Sequence, residues 1–370
     1  MAVAEPQSQL GWGRGAIHPY EQFIQSVGIP IHRGYFIEDG RTIELGEWEE
    51  RECKAAFCVL AGQEGVSETR VSEIAPGQTL PPIRFALDEI IYVLSGRGLT
   101  TIWAGDGPKK TFEWHTRSIF MIPKGCTYQM TNTQGNAPVR LLHTSSLPMA
   151  MGLNPDPGFY FDNKYTDPNL LYNQDIFASA KMLANPNGRD DRPVWFGNFF
   201  PDMAAWDQLH TYEERGAGGH RVGIQFANSA YWSHMSVFPS RTYKKAHRHG
   251  PGVLIVIPDG EGYSIMWPEG KEKVVVPWHE ASIFVPPDRW FHQHFNVGVK
   301  PARYLAFHPP GRGRESAPDP ARDQIEYLQE DPFVRETFAK ELAKVGHTTL
   351  MPEECYSDPS YKWEYGDQED

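Results

Sequence analysis

Apolar positions in this chain fall in short β-branched runs that end in turn residues. IIYVLSG (90–96) and VLIVIPDG (253–260) are two such runs, the length of buried strands and bounded by Gly, Pro or Asp. LTTIWAG and YSIMWPEG follow them after GRG and GEG, a spacing that predicts a hairpin at each place. SIFMIPKG and SIFVPPD come next, then YQMTN and HQHFN, and finally VRLLHTSS and ARYLAFHPP. Strands this short and this regularly spaced predict a β-sandwich or barrel in each half of the chain.

The two series are copies of one another. A constant shift of 164 residues pairs Gly96 with Gly260, Gly98 with Gly262, Trp103 with Trp267 and Lys109 with Lys273. It goes on to pair Trp114 with Trp278, His115 with His279, Ser118 with Ser282, Ile119 with Ile283 and Phe120 with Phe284. Pro123 and Pro287, Gln129 and Gln293, and Asn132 and Asn296 complete twelve identities over 96–132 without a gap. Chance at ordinary composition gives about two or three, so the chain is read as a duplicated domain.

Outside the repeat the pattern changes. Residues 145 to 200 are rich in Pro, Asn, Asp and aromatics and read as a long connection, with a helix expected near DIFASAKMLA. An amphipathic helix is expected over 321–346, broken or kinked at Pro332. The end, YGDQED, reads as a frayed acidic tail. The Gly- and aromatic-rich first fifty residues are expected to form an arm over the core or onto a second subunit.

Composition narrows the class. Hydrophobic residues at 40% and aromatics at 13% describe a packed globular chain rather than a disordered one. A formal charge of −12 argues against nucleic acid as a partner, since that needs a basic surface. No apolar run has the length of a signal peptide or a membrane span, so no membrane association and a cytoplasmic location are expected. Cys53, Cys58, Cys126 and Cys355 show no paired spacing and are expected to be reduced and buried. Barrel edges and long arms suggest a homo-oligomer.

Two His-x-His pairs stand out, AHRHGPG at 246–252 and FHQHFN at 291–296. His247-Arg-His249 with Gly260, followed by Pro287-Asp-Arg-Trp-Phe-His292 and Asn296, resembles the two motifs of the cupin family. These are roughly G-x5-H-x-H-x3–4-E-x6-G and G-x5-P-x-G-x2-H-x3-N. The glycine after the proline of the second motif is replaced here by Asp288 and Arg289. Seven residues before Gly260, where the family often carries a metal-binding Glu, stands Val253. In the first copy Glu89 keeps that place, but His247, His249, His292 and His294 map to Ile83, Phe85, Tyr128 and Met130.

The resemblance spans about 75–145 and 230–310. It implies an all-β fold of two tandem jelly-roll (double-stranded β-helix) barrels, with an N-terminal arm and a C-terminal helix. The division expected is an arm at 1–60, a barrel without metal ligands at 61–150 and a connector at 151–215. A metal-binding barrel at 216–312 and a helix and tail at 313–370 follow.

Side chains at i and i+2 of a strand share a face. His247 and His249 can therefore enter one barrel together, with His292 approaching from a neighbouring strand. Three imidazoles suit Fe(II), Zn, Ni and Cu, and carboxylate suits Mn better; Fe(II) is expected, with Zn, Ni or Mn as alternatives. His294 faces the same way as His292 and is a fourth ligand, a group acting on protons beside the ligands, or a packed interior histidine. His234 either lines the same barrel or packs in the core, and His279, whose twin His115 lies in the other copy, reads as structural. Arg241, Lys244 and Lys245 either orient an acidic substrate or end a strand in solvent, with Arg241 the candidate for a carboxylate. Trp290, whose counterpart is Cys126, is the candidate pocket wall, and Trp267 reads as core.

The three-histidine pattern resembles cupin dioxygenases that use Fe(II). It implies a non-haem dioxygenase that cleaves a C–C bond of a chelating hydroxy-aromatic or enolic small molecule, anionic or aromatic in character. His247, His249 and His292 would be ligands, with His294, Arg241 and His234 around the substrate. Two other classes stay open: a redox-neutral isomerase, lyase or hydrolase on Zn or Ni, and a non-enzymatic binding protein.

Overall fold

The structure, a computed structural model, describes residues 17–63, 65–161, 163–165, 174–183, 194–310 and 319–363. The first sixteen residues, parts of the connector and the acidic C-terminal end lie outside the described residues.

Each half folds as a two-sheet jelly-roll barrel. The first pairs a large sheet, ordered Ile31–Gly34, Cys53–Leu60, Arg70–Ile74, Val139–Thr144, Glu89–Ser95, Ile119–Ile122 and Phe199–Phe200, with Gly46–Trp48 beside Cys53–Leu60. Facing it is a small sheet of Ile83–Arg84, Thr127–Asn132, Arg97–Trp103 and Lys110–His115. The second barrel repeats the plan. Trp232–Phe238, Ala302–His308, Leu254–Asp259 and Ile283–Phe284 lie in its large sheet, and Val274–Trp278, Gly262–Trp267, Phe291–Asn296 and Ala246–His247 in its small one. Strands that the sequence reading put in the arm, Gly46–Trp48 and Cys53–Leu60, belong to the first barrel's sheet.

The expected hairpins at 90–103 and 253–267 do not form. Glu89–Ser95 stays in the large sheet and Arg97–Trp103 enters the small one, so Gly96 is a corner between sheets. Its φ of 93° and that of Gly260, 109°, are conformations that glycine adopts without strain. The true hairpins are one strand later: Arg97 pairs with His115, and Gly262 with Trp278.

The repeated identities now have physical roles. A Cβ at Gly98 or Gly262 would meet the ring of Trp114 or Trp278 at 2.3 or 2.6 Å, so each glycine makes room for its tryptophan. The indole N–H then donates to Thr100 Oγ1 at 2.9 Å in one copy and Ser264 Oγ at 3.1 Å in the other. Asn132 donates to the carbonyls of Ile74, Ala75 and Ala137, and Asn296 to those of Phe238, Pro239 and Lys300. His115 and His279 each make the same bond to the next carbonyl, at 2.9 and 2.8 Å, and each donates its backbone N–H to the hydroxyl oxygen of Ser118 or Ser282. They hold a turn, as their recurrence suggested. Lys109 lies over Trp103 and Lys273 over Trp267.

Each barrel is completed by the segment that precedes the other. Phe36–Ile37 from the N-terminal arm pairs with Ile283 and Phe284 of the second barrel. Phe199–Phe200 from the connector pairs with Ile119 and Phe120 of the first. The arm therefore docks within its own chain. Ser282 donates to the Glu38 carbonyl and Ser118 to that of Pro201, so this repeated serine fastens both crossings. The two large sheets meet through a shared core that includes Ile90, Tyr92, Met121, Met235, Val256 and Leu305. Each barrel has its own inner core besides.

At the C-terminus the single helix expected over 321–346 is divided. Residues Gln324–Ile325 form a strand beside Ala246–His247, and the helix runs Pro332–Lys344. Pro332 opens it at the first position, where its missing N–H is no loss, and Asp331 caps it. Val334, Phe338 and Leu342 form its buried stripe, which packs on Tyr243 and Phe295 from outside the small sheet. The segment expected as a helix near 175–184 is a short helix, Gln174–Ala178, followed by the strand Lys181–Leu183. No helix among the described residues is long and apolar enough to cross a membrane. All four cysteines are buried and free.

Two tests follow from this packing. A Cβ at Gly262 would lie 1.9 Å from the Phe295 oxygen, so Gly262→Ala lowers unfolding stability by about 1–3 kcal/mol or more in denaturant titration. Gly135→Ala, with open space around it, changes it by less than about 0.5 kcal/mol. Glu330 lies under the helix, where burial lifts its carboxyl to about 7 against hydrogen bonds from Tyr243 and Gln293. With the folded value above an unfolded one near 4.3, its contribution is complete in acid and lost as pH rises through about 7. The wild-type Tm accordingly falls between about pH 4.5 and 7.5 relative to that of Glu330→Gln.

Candidate metal centre

The register between two strands of the small sheet begins the site. His247 on Ala246–His247 stands opposite His292 on Phe291–Asn296, and their ring centres are 4.2 Å apart. His249 follows two residues later, its ring 5.6 Å from His247 and 4.6 Å from His292. Arg289 N–H donates to the His249 carbonyl at 2.9 Å, joining the loop after one ligand strand to the turn before the other.

One nitrogen from each ring lies within 4.8 Å of the other two. Three nitrogens about 2.1 Å from one ion would stand roughly 3–3.5 Å apart, so a small inward rotation of the rings closes the set on a single divalent ion. Tautomers are set for this. Nδ1 of His249 is 2.8 Å from the Gly250 carbonyl and Nδ1 of His292 is 3.2 Å from that of Trp290. Each Nδ1 therefore carries the hydrogen, which makes Nε2 the unprotonated nitrogen, the one that can ligate. Nδ1 of His247 is buried without a hydrogen-bond partner. Burial, then the charge of Arg215 and the neighbouring histidines, holds the His247 imidazole well below its usual pKa, in the neutral form a metal requires.

Val253, where the motif would carry a glutamate, is buried in the barrel's apolar lining. The cradle consists of neutral nitrogens and adds no negative charge of its own.

A buried carboxylate on the outer side fixes the ligand strands. Asp323 accepts from Arg248, between the first two ligands, at 3.0 Å, and from Arg289, three residues before the third, at 2.6 Å. Arg322 adds a contact at 2.9 Å, and the Arg248 N–H donates to the Asp323 carbonyl at 2.9 Å. The Arg322 hydrogen bond first, with those of Arg248 and Arg289, holds this carboxyl far below the usual range.

His294 borders the triad, its ring 5.7 Å from His292. Its Nδ1 is 2.8 Å from Ser264 Oγ, which also accepts the Trp278 indole N–H. His234 lies deeper on the large sheet. Its Nδ1 is 2.9 Å from His308 Nε2, and His308 stacks on Trp232 at 3.7 Å, so both histidines line the same barrel. Trp290 packs at the inner core's margin and meets Tyr35 of the arm at 5.8 Å. Trp267 is buried on the outer face of the small sheet, as expected for core. Arg241 is not brought to this group by any contact found among the described residues. It sits at φ 56° in the turn before Tyr243, where its carbonyl accepts from Leu350.

Lys244 is the residue whose place sequence reasoning least anticipates. It is 1% exposed, with Nζ donating to Ser236 Oγ at 2.7 Å. Burial, then Arg215 and Arg221, pull its ammonium well below the usual lysine range. Lys245 points outward to Glu326.

In the first barrel the same positions do other work. Tyr128, in the place of His292, donates to Glu89 at 2.5 Å, and Arg70 and His143 bind the same carboxylate at 2.5 and 3.2 Å. His143 and Arg70 hold Glu89 at about 2 although burial opposes its charge.

No family model matches this chain, and no curated protein sequence does. Among solved structures it is similar to mutants of oxalate decarboxylase from Bacillus subtilis. One is 12% identical over 82% of this chain and 83% of that one, with a TM-score of 0.48. A 7S globulin from Momordica charantia is 11% identical over 75% of this chain and 84% of its own, with a TM-score of 0.46.

Asp323 supplies the test of this geometry. Asp323→Asn keeps its shape and removes the charge that holds Arg248 and Arg289, so zinc affinity measured by chelator competition falls about tenfold or more, with the β-sheet circular dichroism unchanged.

Proposed function

We propose that this protein is a non-haem metal-dependent oxygenase, with Fe(II) as its working metal, that cleaves a C–C bond of a chelating hydroxy-aromatic or enolic small molecule. The observation that carries this reading is the convergence of His247, His249 and His292 with no acidic group among them. An ion on three neutral nitrogens keeps its full double charge and open positions, which favours a substrate offering two adjacent, negatively polarised oxygens. When bound, the ion would supply Lewis acidity and a route for electrons from substrate to O2.

The chain's own residues do the rest. Gly250 and Trp290 carbonyls orient two ligand rings, and Asp323 keeps their strands in place. The ring of His294, fixed by Ser264 and 5.7 Å from that of His292, borders the ion position. The same three imidazoles also suit Zn(II), so redox-neutral isomerisation or hydrolysis is the second reading.

Metal content of anaerobically purified protein, followed by O2 uptake with catechols, hydroxybenzoates and β-diketones, separates these. Iron at about one per chain with O2 uptake on at least one chelating substrate is expected. A bound ion with no O2 uptake on any of them overturns the oxygenase and favours the redox-neutral class. Protein that binds no divalent ion overturns both. His249→Ala is expected to lose at least about tenfold in metal affinity.

A further inference from the structure

The interior of the second barrel holds two cationic side chains besides the three histidines. Lys244 Nζ is surrounded by the rings of Tyr212, Tyr304 and Phe238 at 5.5, 5.5 and 5.6 Å, with Ser236 as its hydrogen-bond partner. The Arg221 guanidinium lies 5.0 Å from that same Tyr212 ring and 5.7 Å from Trp232. Its Nε is buried and has no hydrogen-bond partner. Both cations thus flank one ring, and among the described residues neither is paired with a carboxylate.

Burial first, then the charges of Arg215 and Arg221, act against the Lys244 ammonium. In the first barrel, by contrast, Arg70 has Glu89. A cation taken out of water without a partner costs several kcal/mol, whereas a bound anion would satisfy Lys244 and Arg221 together.

We propose that Lys244 and Arg221 form a carboxylate-binding subsite beside the three histidines, so that the ligand of this barrel is a small planar acid. The guanidinium fork takes two carboxylate oxygens and the ammonium acts as a point charge. Trp232 and Tyr304 supply flat walls for the body of the acid. The subsite is continuous with the triad: His292 to His294 is 5.7 Å, His294 to Tyr304 is 4.6 Å, and Tyr304 to Lys244 Nζ is 5.5 Å. An acid held by its carboxylate there directs its far oxygens to the histidines. Calling this acid a substrate rests on the proposed function; the subsite itself does not need the metal.

Benzoate and its uncharged analogue benzamide are the probes, titrated calorimetrically into chelator-stripped and zinc-reconstituted full-length protein. Benzoate is expected to bind both forms, with benzamide at least about tenfold weaker. Arg221→Met and Lys244→Met each weaken benzoate at least about tenfold and leave zinc affinity within about threefold of wild type. Equal binding of the two probes, or wild-type benzoate affinity in Arg221→Met, overturns the subsite. If Lys244→Met fails to fold, Arg221→Met decides alone. His249→Ala keeps the two proposals apart, because it is expected to lose zinc and retain benzoate. Wild-type protein that binds benzoate and no divalent ion sinks the enzymatic reading alone, and zinc binding without benzoate binding sinks the subsite alone.

Discussion

The pairing of Ala246–His247 with Phe291–Asn296 sets His247 opposite His292, and the rest of the site hangs on that register. Side chains alternate across a strand, so a slip of one residue would turn His292 and His294 outward and bring Phe291, Gln293 and Phe295 into the barrel. The outward residues resist that slip. Phe295 is held by stacking on Tyr243 and Tyr263, and Gln293 by Glu330. Asp323 adds an electrostatic tie, since one carboxylate holds an arginine from each side of the ligand set. The C-terminal segment is thus part of the site's scaffold, although none of its residues is a ligand.

Duplication explains the frame, and divergence explains the chemistry. Glycines, tryptophans, the turn serine and the terminal asparagine recur because both barrels must turn the same corners and close the same ends. At the ligand positions the copies part. The first barrel fills its interior with a compensated network, in which Glu89 takes bonds from Arg70, Tyr128 and His143. The second replaces that acid with Val253 and gathers histidines, Lys244 and Arg221 instead. One interior is closed on itself electrically and the other is not. This contrast also runs against the chain's overall charge of −12, which places the excess of acid outside the second barrel's interior.

Exchange of the two leading segments binds the halves into one object. Because the arm completes the second barrel and the connector completes the first, neither barrel's large sheet has all its strands from its own stretch of sequence. The arm also brings Tyr35 to Trp290, a contact between residues some 250 positions apart.

How much of this was legible varies with the range of the interaction that decides it. The duplicated β-frame and the triad could be read directly, because strand alternation and ligand spacing are local properties of the chain. The hairpins at 90–103 and 253–267 were misread since a glycine at positive φ serves a corner as readily as a turn. The long helix was misread since Pro332 begins a helix as readily as it breaks one, and Gln324–Ile325 was claimed by the edge beside His247. Lys244 and Arg241 alike could be read as an anchor for an acid or as a solvated strand end, with Arg241 the candidate for a carboxylate. Only the folded chain shows Lys244 inside, among Ser236, Tyr212, Phe238 and Tyr304, and the Arg241 carbonyl bonded to Leu350, because the burial of a charged side chain is set by the strands packed around it rather than by its neighbours in sequence. Asp323 gave no signal for the same reason: a carboxylate becomes a clamp only when folding brings its arginines to it.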